Sequence, residues 1–163
     1  MELDIVEYDV DENLKKELYS TIKDLAGKTQ AQLVLIVDDA GRTIAVHFQG
    51  DKTQEEKAEF ISALISGVFG AACEMSKLLE LEDPDLLEFE AKKMNVVIKS
   101  IKPRFLLCLM VSKNRSLGAV RLFLKEASQE IEELMQKAER TPRRVVKMDL
   151  QSLEEKLKKI IEL

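Results

Sequence analysis

Residues Phe60 to Cys73, FISALISGVFGAAC, run without a charged side chain inside a helical pattern that extends from about Glu55 to Leu81. At 100° per residue the bulky side chains Phe60, Ile61, Leu64, Ile65, Val68, Met75 and Leu79 share one broad face, which is expected to cover a sheet. The opposite face collects Ser62, Ala63, Ser66, Gly67, Gly70 and Cys73, all small and none ionised. A solvated face would carry Lys and Glu, and these return only at the ends, as Glu55, Glu56, Glu59, Glu74 and Lys77. Two mid-helix glycines cost about 1 kcal/mol each relative to Ala, so close approach of another backbone is expected to offset them. The alternative is a helix buried on both sides within a larger monomer. A chain of 163 residues has little left to supply that second layer, which favours a partner surface on the small-residue face.

The rest of the chain reads as one domain with a tail. A hydrophobic fraction of 45% supports a real core. The net charge of −5, with no stripe of Lys and Arg interleaved with aromatics, argues against nucleic acid as the main partner. The opening MELDIVEYDVDE is acidic where a secretory signal would be basic. The charge-free run of 14 residues is shorter than the roughly 20 needed to span a bilayer. Cys73 and Cys108 lie in apolar segments, as buried reduced thiols do. A cytoplasmic protein without membrane insertion is expected.

Residues 1–11 alternate loosely and are read as an N-terminal arm or a strand. Leu14, Leu18, Ile22 and Leu25 recur at helical spacing, with Gly27 as the stop. Gln32 to Val37 reads as a strand buried on both faces, followed by a turn at Asp38-Asp39-Ala40-Gly41. Thr43 to Phe48 returns as a strand with Ile44, Val46 and Phe48 on one face. After the central helix, Leu87, Phe89 and Ala91 alternate with charged residues as a half-exposed strand. Asn95 to Ile101 and the apolar Phe105 to Val111 follow, the latter expected at the centre of the sheet. Ser116 is placed as the N-cap of a helix whose buried stripe is Leu117, Val120, Leu124, Ala127, Ile131, Leu134 and Ala138. The order predicts an α/β fold, an α-β-β-α-β-β-β-α sandwich over residues 12–140 with a five-stranded, mainly antiparallel sheet. Residues 141–163 are read as a linker at Thr141-Pro142-Arg143-Arg144 and a C-terminal amphipathic helix. Its apolar side holds Leu150, Leu153, Leu157, Ile160 and Ile161. About 15 residues of helix are marginal alone in water, so this one is expected to dock on its own domain, its twin or a partner.

Catalytic chemistry is not visible. Ala26-Gly27-Lys28-Thr29 matches the end of a phosphate-binding loop, but Ile22 stands where the first Gly belongs and a helix precedes it, so it reads as a helix end. One His and two Cys cannot build the usual four-ligand zinc site. No metal, cofactor or catalytic residue is assigned, and none of Arg42, Arg104, Lys113, Arg115, Arg121, Arg143 and Arg144 stands out as a group that could assist phosphoryl transfer in a partner.

Three local signatures and the order of elements resemble the Roadblock/dynein light-chain family, and within it the bacterial MglB-like branch. They are Val37-Asp38-Asp39-Ala40-Gly41, the helix carrying Ser62, Ser66, Gly67 and Gly70, and Ser116-Leu117-Gly118-Ala119-Val120-Arg121. The resemblance covers roughly Glu12 to Glu139. It implies a homodimer whose sheets join edge to edge with the central helices side by side. It further implies binding of a Ras-like small GTPase of the MglA type through that helix pair. Hydrolysis would be stimulated by reshaping the switch regions, without an inserted arginine. Ser62, Ala63, Ser66, Gly67, Gly70 and Cys73 are then the candidate contact residues, Leu87, Phe89 and Ala91 the candidate dimer edge, and Leu153, Leu157, Ile160 and Ile161 the tail contacts. A Roadblock-type scaffold that holds a complex together without altering nucleotide turnover is the competing expectation.

Overall fold

The computed structural model describes residues 2–8, 10–50, 56–102, 104–139 and 142–161, without the side chains of 2–8, 138–139, 142–153 and 156. In chain order the elements are β1 (Glu2–Tyr8), α1 (Glu12–Thr29), β2 (Leu33–Asp38), β3 (Thr43–Phe48), α2 (Ala58–Leu78), β4 (Leu86–Glu90), β5 (Met94–Ile101), β6 (Phe105–Ser112), α3 (Leu117–Glu139), β7 (Pro142–Asp149) and α4 (Leu150–Ile161). Five strands form one antiparallel sheet in the order β3-β2-β6-β5-β4. The most apolar strand, β6, takes the centre, as expected from FLLCLMV.

The alternation of β2 divides the core. Val34 and Ile36 join α1 residues Leu18, Ile22 and Leu25 and α3 residues Val120, Leu124, Ile131 and Met135 on one face. Leu33, Leu35 and Val37 point the other way, to Ala58, Ile65 and Phe69 of α2. Two helices therefore cover one face, while α2 lies on the other. On α3 Met135 is fully buried and Leu117 and Leu134 are half-buried, while Ala138 lies outside the described side chains.

Three local readings are corrected. Gly27 does not stop α1, which continues to Thr29 and ends at Gln30 in the left-handed region, φ 58°. The Gln30 side chain donates to the Gly27 carbonyl at 2.8 Å and so satisfies one of the last orphan carbonyls. Ile44 does not share a face with Val46 and Phe48. Opposite Ile36 and Val37 the register skips one residue, and this bulge turns Ile44 toward the α1–α3 core while Val46 and Phe48 pack on the α2 side. Thr141-Pro142-Arg143-Arg144 is not a plain linker, because Pro142 opens β7. That strand pairs antiparallel with β1 in a separate two-stranded ribbon, Leu3 opposite Met148 and Tyr8 opposite Pro142. The two ends of the chain are thus tied to each other.

Candidate functional site

The β2–β3 turn determines how α2 sits. The Asp38 carboxylate accepts from the backbone N–H of Ala40 at 3.0 Å and of Arg42 at 2.8 Å, and pairs with Arg42 Nε at 2.8 Å. Three donors on one buried carboxylate hold the turn in shape. Gly41 then adopts φ +79°, and a Cβ placed on it would lie 3.2 Å from Ala63 Cα and 3.5 Å from Ser66 Cβ. The turn presses against α2 at the residues that carry almost no side chain. Fully buried Ser62 shares a 2.6 Å hydrogen bond with Thr43, and the Ser66 hydroxyl reaches the Asp39 carbonyl at 3.4 Å. An alanine at position 41 meets both a positive φ and this contact. Gly41→Ala should therefore cost about 1–3 kcal/mol, read as a lowered midpoint in urea unfolding with unchanged slope.

This contact turns α2 about its axis from the expected orientation, so that Ala58, Ser62, Ile65 and Phe69 face the sheet. The small residues Ser62, Ala63 and Ser66 answer the backbone of the chain's own turn, with Ser62 buried and Ser66 half-buried. Cys73 is half-buried as well. Gly67 and Gly70 are exposed, and an added Cβ would meet nothing within 4 Å at either. Of the bulky set only Ile65 is buried and Ile61 half-buried. Phe60 is 75% exposed, Leu64 68%, Val68 45% and Met75 59%. Helical spacing places Phe60, Leu64, Val68 and Met75 in one stripe, with Ala63, Gly67 and Gly70 beside it. The outer surface of α2 is therefore apolar and uncharged from residue 60 to 73. Its length and composition would suffice to cross a bilayer, but Ala58, Ser62, Ile65 and Phe69 are committed to the sheet.

Because α2 lies over β2 and β3, the other half of that sheet face is left open by the described residues. An apolar groove of about 300 Å³ runs there, walled by Ile61, Leu64 and Val68 on the helix and by Phe89, Val96 and Met110 on the sheet. Phe89 belongs to the edge strand β4 with Leu87, and Ala91 lies just past its end.

The polar groups serve the fold. Arg121 on α3 makes a fork on Glu88 of β4, at 2.6 and 2.7 Å, and this hydrogen-bonded pairing holds the Glu88 carboxyl below its ordinary range. Arg104 pairs with Asp39 at 3.6 Å. His47 meets Tyr19 edge-on with ring centres 6.0 Å apart, and burial lowers its pKa, aided by Lys23. Among the described residues no cluster of three or more His, Cys, Asp and Glu could hold a metal ion. Cys73 and Cys108 are free thiols. Burial pushes the Cys108 pKa up to about 12, and burial followed by the nearby Asp83 charge raises that of Cys73. At about pH 8 a thiol reagent should modify Cys73 slowly and Cys108 only on unfolding, since the thiolate is the reactive form. In the tail, Leu157, Ile160 and Ile161 are exposed, and the Leu153 side chain lies outside the described ones.

A single helix, free of charge from residue 60 to 73, on an open antiparallel sheet with two helices behind it is the architecture of the Roadblock domain. Residues 17–110 match the model of the Roadblock/LC7 domain, and the chain belongs to that family. An uncharacterized protein of Aquifex aeolicus (strain VF5) is 29% identical over 163 residues, covering 99% of both chains. Among solved structures, Myxococcus xanthus MglB is similar in fold with a TM-score of 0.72 at 22% identity, over 82% of this chain and 96% of that one. The gliding protein MglB of Thermus thermophilus gives 0.67 at 19% identity, over 84% and 97%. An MglB with tetrameric arrangement gives 0.69 at 17%, over 82% and 96%.

Proposed function

We propose that the protein is a cytoplasmic, homodimeric regulator of a Ras-like small GTPase of the MglA type and docks on its switch regions to stimulate hydrolysis. The observation that carries this is the exposed, charge-free face of α2 in an MglB-like fold. A monomeric domain rarely leaves so large an apolar stripe uncovered without a partner for it. The contact surface is centred on Phe60, Leu64 and Val68, with Ala63, Gly67 and Gly70 beside them. Ser62 is excluded because it is buried under the turn. The proposed contact face supplies no arginine: residues 55–81 contain none, and Arg42, Arg104 and Arg121 pair with carboxylates of their own fold.

For the dimer, the sheet offers two edges, β3 and β4. Glu90 places a carboxylate along β4, a device that blunts edges. β3, TIAVHF, carries no Asp, Glu, Lys or Arg. It is also the edge that α2 lies over, so joining two sheets at β3 brings the helices side by side, whereas joining them at β4 keeps them apart. The proposed dimer edge is therefore β3 rather than Leu87, Phe89 and Ala91. An interface of this kind buries at least about 1,200 Å² in total. Light scattering should give twice the 18.5 kDa chain mass; a monomer at micromolar concentration would remove the dimer. Titration calorimetry with an MglA-type GTPase loaded with a non-hydrolysable GTP analogue tests the docking, and absence of heat with a correctly folded dimer would refute it.

A further inference from the structure

Two apolar surfaces of this chain are left open by the described residues, and they fit each other. The groove beside α2 is walled by Leu64, Val68, Phe89 and Met110, and Lys57 is the one charged residue lining it among those described. The other surface is α4, where Leu157 is 50% exposed, Ile160 68% and Ile161 80%. Every α4 side chain that is described is exposed. The lengths agree: α4 and the helical wall of the groove, Lys57 to Val68, each run twelve residues, about 18 Å at 1.5 Å per residue. Leu150, Leu153, Leu157, Ile160 and Ile161 follow the spacing by which a helix seats one face in a groove.

We infer that the groove receives α4 of a second copy of this chain. The chain's own α4 follows β7 without a spacer, and β7 is paired along its length with β1. The ribbon therefore sets the direction of α4, and no described α4 residue lines the chain's own groove. As placed, α4 stands outside the chain's own groove, and a neighbouring copy's α4 can enter that groove with its ribbon intact. Seating it covers apolar area on both partners, and a twelve-residue helix that is marginal alone becomes stable. This inference is tested without a GTPase, and because Leu64 and Val68 wall the groove, a seated α4 and a GTPase would compete for that side of α2.

The test is disulfide trapping between two full-length chains of different tag size, both carrying Cys73→Ser, with buried Cys108 left in place. One chain carries Phe89→Cys in the groove and the other Ile160→Cys on α4. The expected result is a heterodimeric cross-link in several-fold excess over a control pair of Leu122→Cys with Ile160→Cys, since Leu122 is exposed on α3, behind the sheet. Adding Leu157→Glu to the α4 chain should abolish that excess. Val96→Cys replaces Phe89→Cys if the latter does not fold. Equal yields from groove and control pairs, or a yield indifferent to Leu157→Glu, would overturn the inference. So would a double variant of Phe89→Cys and Ile160→Cys that links only within one chain.

Discussion

Leu64→Arg should abolish binding to the GTPase while leaving a folded dimer. Leu64 is 68% exposed, so a longer side chain has room in the free protein, and Arg is a good helix former. In the complex the same guanidinium enters an apolar contact with no carboxylate within the charge-free stretch of α2. An unpaired buried charge costs about 3–5 kcal/mol, and each 1.4 kcal/mol is about tenfold. A micromolar complex would weaken by at least about a hundredfold, beyond detection in most titrations. Calorimetry and light scattering on the same sample check both halves. Unfolding of the variant would place Leu64 in the core, against the exposure observed.

The largest loss of stability is expected from Leu107→Ala. Leu107 sits in the central strand with no exposed surface and faces the α1–α3 core. Removing its isobutyl group leaves a cavity between a strand paired on both sides and helices that cannot collapse freely. Such truncations cost about 2–5 kcal/mol, a large part of the roughly 5–15 kcal/mol that a domain typically has. Leu64→Ala removes the same atoms from an exposed position and should change stability by less than about 0.5 kcal/mol. Denaturant unfolding of both variants measures the difference, and similar losses would contradict the orientation of α2.

The strands were legible because each carries its own period. β2 alternates between two buried faces, β6 is continuously apolar, and β4 alternates with Glu88 and Glu90. The orientation of α2 was not legible, because a helix with no charge over fourteen residues gives the wheel two candidate inner faces. Size pointed to Phe60, Leu64 and Val68, but the close approach of Gly41 selected the side of Ser62 and Ser66. The close backbone was expected to offset Gly67 and Gly70 and to belong to a partner; the one found is the chain's own turn and meets Ala63 and Ser66, while an added Cβ at either glycine meets nothing within 4 Å. Residue Ile44 changed face through a bulge, which depends on the partner strand and leaves no local trace. β7 was hidden for a similar reason: Thr-Pro-Arg-Arg has the composition of a linker, and its pairing partner β1 lies at the other end of the chain. In the site, Gly67 and Gly70 are on the exposed face as expected, whereas Ser62 is buried and Ser66 half-buried.

The proposed regulator and a Roadblock-type scaffold differ in one observable, the rate at which the partner GTPase consumes GTP. Single-turnover hydrolysis by the MglA-type GTPase should be followed alone, with this protein, and with Leu64→Arg. Reshaped switch regions predict a rate that rises with the concentration of the wild-type dimer, saturates, and returns to the basal value with Leu64→Arg. A wild-type dimer that binds the GTPase yet leaves the hydrolysis rate unchanged would contradict the regulator and leave the scaffold.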